Sequence, residues 1–212
     1  MTPDVTNWCH DPGMPGSDLE NVPLTGERFA DLADLFAAGD PRWCWCTYFR
    51  IRGRTWSNSS PDANRAALRR LAEDGERDGS IAPGLVAYRE GSAVGWVSLA
   101  PREDYERLAF STMLRPIDDR PVWSIVCFVV GRHHRRQGVA GALLDAAIDY
   151  ARGHGAKTLE GYPLHESRGK VASSAAYVGT QAMFERAGFT VAELRSWDDT
   201  TPPRPIMRLE LG

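Results

Sequence analysis

The stretch from Val122 to Tyr150 places the tightest constraint on the fold. It reads VWSIVCFVV, then GRHHRRQGVAG, then ALLDAAIDY. The first part is a continuous apolar run of strand length, and the last has helical apolar spacing at Ala140, Leu143, Leu144, Ala147, Ile148 and Ala151. Between them lie Arg132, His133, His134, Arg135 and Arg136, and no acidic residue follows until Asp145. The N-terminus of a helix carries a partial positive charge and usually attracts Asp or Glu. Here that place is left open, and Gly138, Ala140 and Gly141 let a ligand approach the backbone closely. The unit therefore predicts an anion site on a strand–turn–helix. It is not a P-loop, which needs Gly-Lys-Ser/Thr, and it lacks the G-x-G-x-x-G of a dinucleotide fold.

The chain has 212 residues, 42% hydrophobic, with a net charge of −3. It is large enough for one domain with a full core, expected over residues 21–212 after an irregular Pro- and Gly-rich lead-in at 1–20. The acidic balance argues against nucleic acid or a membrane surface as partner. No apolar run is long enough to span a bilayer, and the N-terminus lacks the basic and apolar segments of a secretory signal. Four cysteines are too few for a disulfide scaffold, so a reducing cytoplasm is expected.

Around the central unit, periodicity and turn chemistry predict the remaining elements. Val22–Leu24 reads as a first strand, and Thr25 caps a helix to Ala38. Residues 42–50, RWCWCTYFR, read as an apolar wall, and Thr55–Ser60 as a loop. Pro61 opens a helix to Asp74, and residues 85–89 and 93–100 form a hairpin. A long connection through Tyr105 and Leu108 precedes the central unit. Residues 157–163 then form a strand in parallel with 122–130 through a right-handed crossover. A helix within Ser173–Ala187, closed by Gly188, and a final antiparallel pair at 190–195 and 206–211 complete the chain. Cys44 and Cys46 form a C-x-C with no second Cys/His pair at zinc spacing, so no metal is expected.

Arg135-Arg136-Gln137-Gly138-Val139-Ala140 resembles the R/Q-x-x-G-x-G/A motif of the GCN5-related N-acetyltransferase (GNAT) superfamily. The element order and the late Met183–Phe189 segment, MFERAGF, fit the same family over roughly residues 22–212. More closely, the chain is similar to bacterial members with a tryptophan-cysteine stretch near the start, APRE after the hairpin and DDRPVW before the motif strand. That group implies no substrate. The resemblance implies an α/β (α+β) GNAT fold: a mixed sheet of six to seven strands flanked by helices, with the central parallel strands splayed. It implies acetyl-CoA as co-substrate and transfer of an acetyl group to a primary amine by direct attack, the acceptor being a small molecule. Cofactor contacts carry over to Phe128, Val129, Val130, Arg135, Arg136, Gln137, Gly138, Val139, Ala140, Gly141 and Phe184. A backbone amide near Val129 or Val130 would hold the developing oxyanion.

One departure concerns the acid. Family members often place a tyrosine in the late helix to protonate the departing thiolate, and here that position is Phe184. Tyr177 is the alternative donor, provided Thr180 caps a shorter helix and leaves Tyr177 in the approach loop. Glu160 and Glu103 are candidate bases, Glu160 by opening into the splay. His133 and His134 are expected to face phosphate or solvent, and Cys127 to be a small buried hydrophobe. Trp43, Cys44, Trp45, Cys46 and Trp96 are expected to wall the acceptor pocket. Two other readings remain open at this point: a CoA-binding sensor without turnover, which Phe184 favours, and a protein acetyltransferase. The chain is expected as a monomer or homodimer.

Overall fold

Among the described residues, turns separate seven strands. They are β1 (Glu20–Pro23), β2 (Gly84–Arg89), β3 (Ser92–Pro101), β4 (Trp123–Val130), β5 (Thr158–Gly161), β6 (Thr190–Arg195) and β7 (Arg204–Glu210). In the computed structural model they form one sheet in the order β1-β2-β3-β4-β5-β7-β6. Residues 18–212 are described, apart from 38, 40, 80, 166–176 and 199–201. Most of the expected lead-in and the expected helix start at Ser173 lie outside the described residues. Every pairing is antiparallel except that of β4 with β5.

The helices are α1 (Phe29–Ala37), α2 (Pro41–Cys44), α3 (Gly53–Ser57), α4 (Pro61–Asp78), α5 (Glu106–Phe110), α6 (Val139–Gly153) and α7 (Gln181–Arg186). Helix α6 lies across one face of β2, β3 and β4, burying Val139, Leu143, Leu144, Ala147, Ile148 and Ala151. Gly95 of β3 lets it sit close, since a Cβ there would stand 2.6 Å from Val139 Cγ1. On the opposite face, α1 and α4 cover β2 and β3 through Phe29, Leu32, Phe36, Leu68 and Ala72. A third cluster, with Tyr105, Leu108, Leu114, Val126, Tyr162 and Ile206, covers that face toward β5 and β7.

Several expected boundaries shift. Helix α4 runs past Asp74 to Asp78, because a single interior Gly75 costs only about 1 kcal/mol and the αL Gly79 supplies a better stop. The expected loop at 55–60 contains α3, whose Trp56 packs on Trp43 and Tyr48 at ring distances of 5.6 and 5.2 Å. The expected wall at 42–50 is α2 followed by turns, with Trp45 and Cys46 at positive φ. That turn drops Trp45 into the core against Phe29 and Phe36.

The centre of the sheet carries the feature that matters for function. Ser98 pairs with Cys127 and Leu99 with Ile125, so Val126 is an extra residue in β4. The parallel register of β4 with β5 covers only Trp123–Ile125 against Leu159–Gly161. Beyond it β4 and β5 no longer pair, and the ring of Phe184 packs at the last paired residue of β5. A Cβ on Gly161 would meet Phe184 Cε1 at 2.1 Å, and the same ring packs edge-on against Phe128 of β4 at 6.1 Å. The expected splay of the parallel strands is therefore present, with an aromatic wedge at its root. Phe184→Ala should cost about 3–5 kcal/mol in a denaturant titration, because a fully buried phenyl leaves a cavity between two strands. A loss under 1 kcal/mol would show that the ring does not hold the strands apart.

Candidate active site

Strand β4 ends at Val130, and residues 131–138 turn the chain into α6. Arg136 adopts φ +60°, and Gly138 caps the helix at φ +82°. Only glycine takes that second angle without strain. The first helical hydrogen bond runs from the Ala142 amide to the Gly138 carbonyl, leaving the amides of Val139, Ala140 and Gly141 at the mouth of the helix. No acidic residue occupies the first turn, and a Cβ on Gly141 would meet nothing within 4 Å. The site is open, donor-rich and electropositive.

Side chains around this turn divide into two groups. Gln137 is tied down: its amide nitrogen donates to the His133 carbonyl at 2.8 Å, and its oxygen accepts from Arg89 at 2.8 Å. Arg89 is in turn paired with Asp18 at 2.7 Å. His134 lies beside Arg89, and His133 beside Arg132. Arg135 and Arg136 are exposed and enter no ion pair among the described residues; Arg135 Nε donates to the Val130 carbonyl. Two exposed cations therefore lie in the turn that leads into the helix mouth, while Gln137 shapes the loop.

The remaining cofactor candidates lie along the splay. Phe128 and Val129 are buried on opposite faces of β4, in the α6-side and α1-side clusters, and Val130 is half-buried. Their backbone continues past the end of the β5 register. Phe184 is a correction: it is fully buried and offers no surface to a ligand. Its place over Gly161 makes it a structural wedge, and a hydroxyl on that ring would be buried among Phe128, Phe189 and Gly161.

The catalytic candidates are placed differently from one another. Thr180 caps α7, its side chain accepting from the Met183 amide at 3.3 Å, so the helix is short and Tyr177 lies in the approach turn. Tyr177 is half-buried against the cluster that contains Val129 and Cys127. Gly179, two residues on, approaches Phe128, so this turn is held against β4. Glu160 does not open into the splay. It is 1% exposed, and its oxygens accept from Arg102 at 2.5 Å, from Arg208 at 2.9 Å and from the Tyr162 hydroxyl at 2.8 Å. Arg208 also holds Asp118, whose carboxyl it keeps well below the usual range. Burial and the nearby Glu160 charge push the Tyr162 hydroxyl well above its ordinary value. Glu160 is thus the centre of a buried ionic cluster linking β5 and β7 to the turn after β3. Glu103 is exposed on the turn after β3.

The expected acceptor wall is corrected as well. Trp96, Trp45 and Cys46 are buried, Trp96 completely, because they fill the core under α1. Trp43 is exposed and packs at a tilt against Trp56, and Cys44 is half-buried. A cavity of about 310 Å³ lies instead beside Tyr48, Phe49, Arg107, Leu108, Met113 and Trp197. Its Leu108 and Leu114 share a cluster with Val126, the bulged residue at the splay, and Cys127 packs on the same cluster. Arg107 donates to the Tyr48 and Ile51 carbonyls and has no carboxylate partner among the described residues. Trp197, past the end of β6, and Arg204, at the start of β7, complete the lining. Nothing in the Pro-rich loop before β7 marked those two in advance.

No helix among the described residues is long and apolar enough to cross a membrane, and no group of three or more His, Cys, Asp or Glu among them could hold a metal ion. The acetyltransferase (GNAT) family model matches residues 45–189. Among solved structures, the chain is similar to YncA from Salmonella typhimurium, solved with its cofactor acetyl-CoA, at 18% identity and a TM-score of 0.53 over 92% of this chain and 95% of that one. A GNAT acetyltransferase from Streptococcus pneumoniae matches at 14% identity and 0.52, over 92% and 99%. The PaiA N-acetyltransferase from Thermoplasma acidophilum, in complex with coenzyme A, matches at 14% and 0.50, over 91% and 98%. No curated protein matches. These identities support the fold, and the family model supplies the rest: the chain belongs to the GNAT acetyltransferase family.

Proposed function

We propose that the protein is an acetyl-CoA-dependent N-acetyltransferase that acetylates a primary amine of a small acceptor by direct attack. The observation that carries this is the conjunction of the open α6 mouth with the unpaired stretch of β4. Free amides at 139–141 with Arg135 and Arg136 suit a pyrophosphate, and residues 127–130 offer strand-edge groups to an amide-bearing arm. Bound acetyl-CoA supplies an activated acetyl thioester. A backbone amide near Val129 or Val130 would hold the charge that develops on the thioester oxygen.

Tyr177 is the proposed proton donor to the leaving thiolate, since its turn is pinned against Phe128 of β4. With Glu160 committed to Arg102 and Arg208, the exposed Glu103 is the proposed acceptor of the amine proton, which it passes on to solvent. The aromatic cavity beside Arg107 is the proposed acceptor site, of a size suited to a small molecule. The sensor reading rested on Phe184. Because that ring is a buried wedge, its lack of a hydroxyl carries no weight against turnover.

Acetyl-CoA should raise the melting temperature by several degrees, and Gly138→Glu should abolish the rise by placing a charge and a Cβ at the αL cap. A wild-type melting temperature that ignores acetyl-CoA would refute the donor assignment. CoA thiol release across amino acids, polyamines, aminoglycosides and peptides tests turnover. Release with one small amine class is expected. A thermal shift with no release from any amine would favour the sensor, and release with peptides alone would make the protein itself the acceptor class. Tyr177→Phe should lower kcat on the order of 100-fold with acetyl-CoA affinity nearly unchanged. An unaltered kcat removes Tyr177 as acid.

A further inference from the structure

Three thiols converge where the acceptor side meets β4. Cys46 sits in the turn after α2 at φ +53°, 3% exposed, and its S–H donates to Cys127 Sγ at 3.3 Å across 81 residues of sequence. Cys127 is the first residue of β4 after the bulged Val126, half-buried, and packs on both the α1-side cluster and the Val126 cluster. Cys44 adjoins Cys46, and its own S–H reaches the Pro41 carbonyl at 3.9 Å. Nothing in the proposed acetyl transfer uses these sulfurs, and they form no metal site.

We propose that Cys46 and Cys127 are a peroxide-oxidisable pair that closes to a disulfide and lowers acetyl transfer. Exposure orders the chemistry. Within the pair, half-buried Cys127 rather than buried Cys46 is the thiol that meets the oxidant first. Its thiolate attacks one peroxide oxygen and the O–O bond breaks. The leaving oxygen departs as water, and Cys127 becomes a sulfenic acid. The Cys46 sulfur then attacks the Cys127 sulfur. The S–S bond forms, the S–O bond breaks, and the hydroxide leaves as water with the Cys46 proton. Two thiols are oxidised and one peroxide is reduced to two waters.

The hydrogen bond to Cys127 and burial both push the Cys46 thiol well above its ordinary range, so it waits as the resolving partner. Cys44 is half-buried as well, but its contact with Cys46 and burial push its thiol up, and its S–H is turned to the Pro41 carbonyl. Closing from 3.3 Å to a bond of about 2 Å draws Cys127 toward the α2 turn and stiffens β4 beside the splay. That stretch is where the proposed oxyanion amide lies, so the activity half of this inference rests on the proposed function. The cross-link itself does not.

The full chain is exposed to stoichiometric hydrogen peroxide, blocked with N-ethylmaleimide and mapped by mass spectrometry without reduction. A linked peptide pair containing Cys46 and Cys127, lost on dithiothreitol treatment, is expected. It should persist in Cys44→Ser and vanish in Cys127→Ser. Full maleimide labelling of both thiols after peroxide, or a link to Cys44 or Cys9 instead, overturns the pairing. Wild-type thiol release should fall at least fivefold on oxidation and recover on reduction. A fully cross-linked protein with unchanged turnover overturns the regulatory role, while a protein inactive in both states still gives the peptide map and indicts the proposed function instead.

Discussion

The Phe184 ring wedged between Gly161 and Phe128 is the contact on which the rest of the site depends. The ring packs at the point where the parallel ladder stops, and Pro163, two residues past Gly161, has no N–H with which to continue it. The register ends at Ile125 and Gly161, where the Phe184 ring packs, and the extra Val126 turns the remainder of β4 aside. What results is a strand whose last residues keep β3 on one edge and present the other to the splay. An extended ligand with amide groups completes such an edge as an added strand does.

The second element is the direct covalent link from that edge to a helix mouth. Only residues 131–138 separate Val130 from α6, so the unpaired strand and the free amides belong to one rigid unit. Its rigidity comes from packing: Gly95 seats Val139 and Leu143 on β3, and Gln137 is clamped by Arg89 and the His133 carbonyl. A pyrophosphate-sized anion and an extended arm would be held in fixed relation, which is what positioning a thioester for attack demands. The buried Glu160–Arg102–Arg208 cluster ties β5 and β7 to the turn after β3 and holds the far side of the splay in place.

The elements readable in the sequence were those with local signals. The apolar run of β4, the glycines of the turn and the stripe of α6 lie within thirty residues, and each has a period or a turn preference of its own. Residues whose roles depend on distant partners were misread. Glu160 looked available because Arg102 and Arg208 are 58 and 48 residues away. Trp45 and Trp96 looked like pocket walls, since aromatic composition does not tell a core from a cleft, and the positive φ at Trp45 is invisible in sequence. Phe184 aligned with a catalytic position, yet its environment is set by Gly161, on another strand. The Thr180 cap was legible as one of two alternatives, and the hydrogen bond to Met183 decides it.

Amide hydrogen exchange with and without acetyl-CoA tests the central claim most directly, because it reads the edge of β4 and the mouth of α6 separately from turnover. Added acetyl-CoA should slow exchange at residues 127–130 and at 139–141 together, with the amides of β6 and β7 unchanged. Unaltered exchange at both stretches at saturating acetyl-CoA, or slowing confined to any other part of the sheet, would contradict the account.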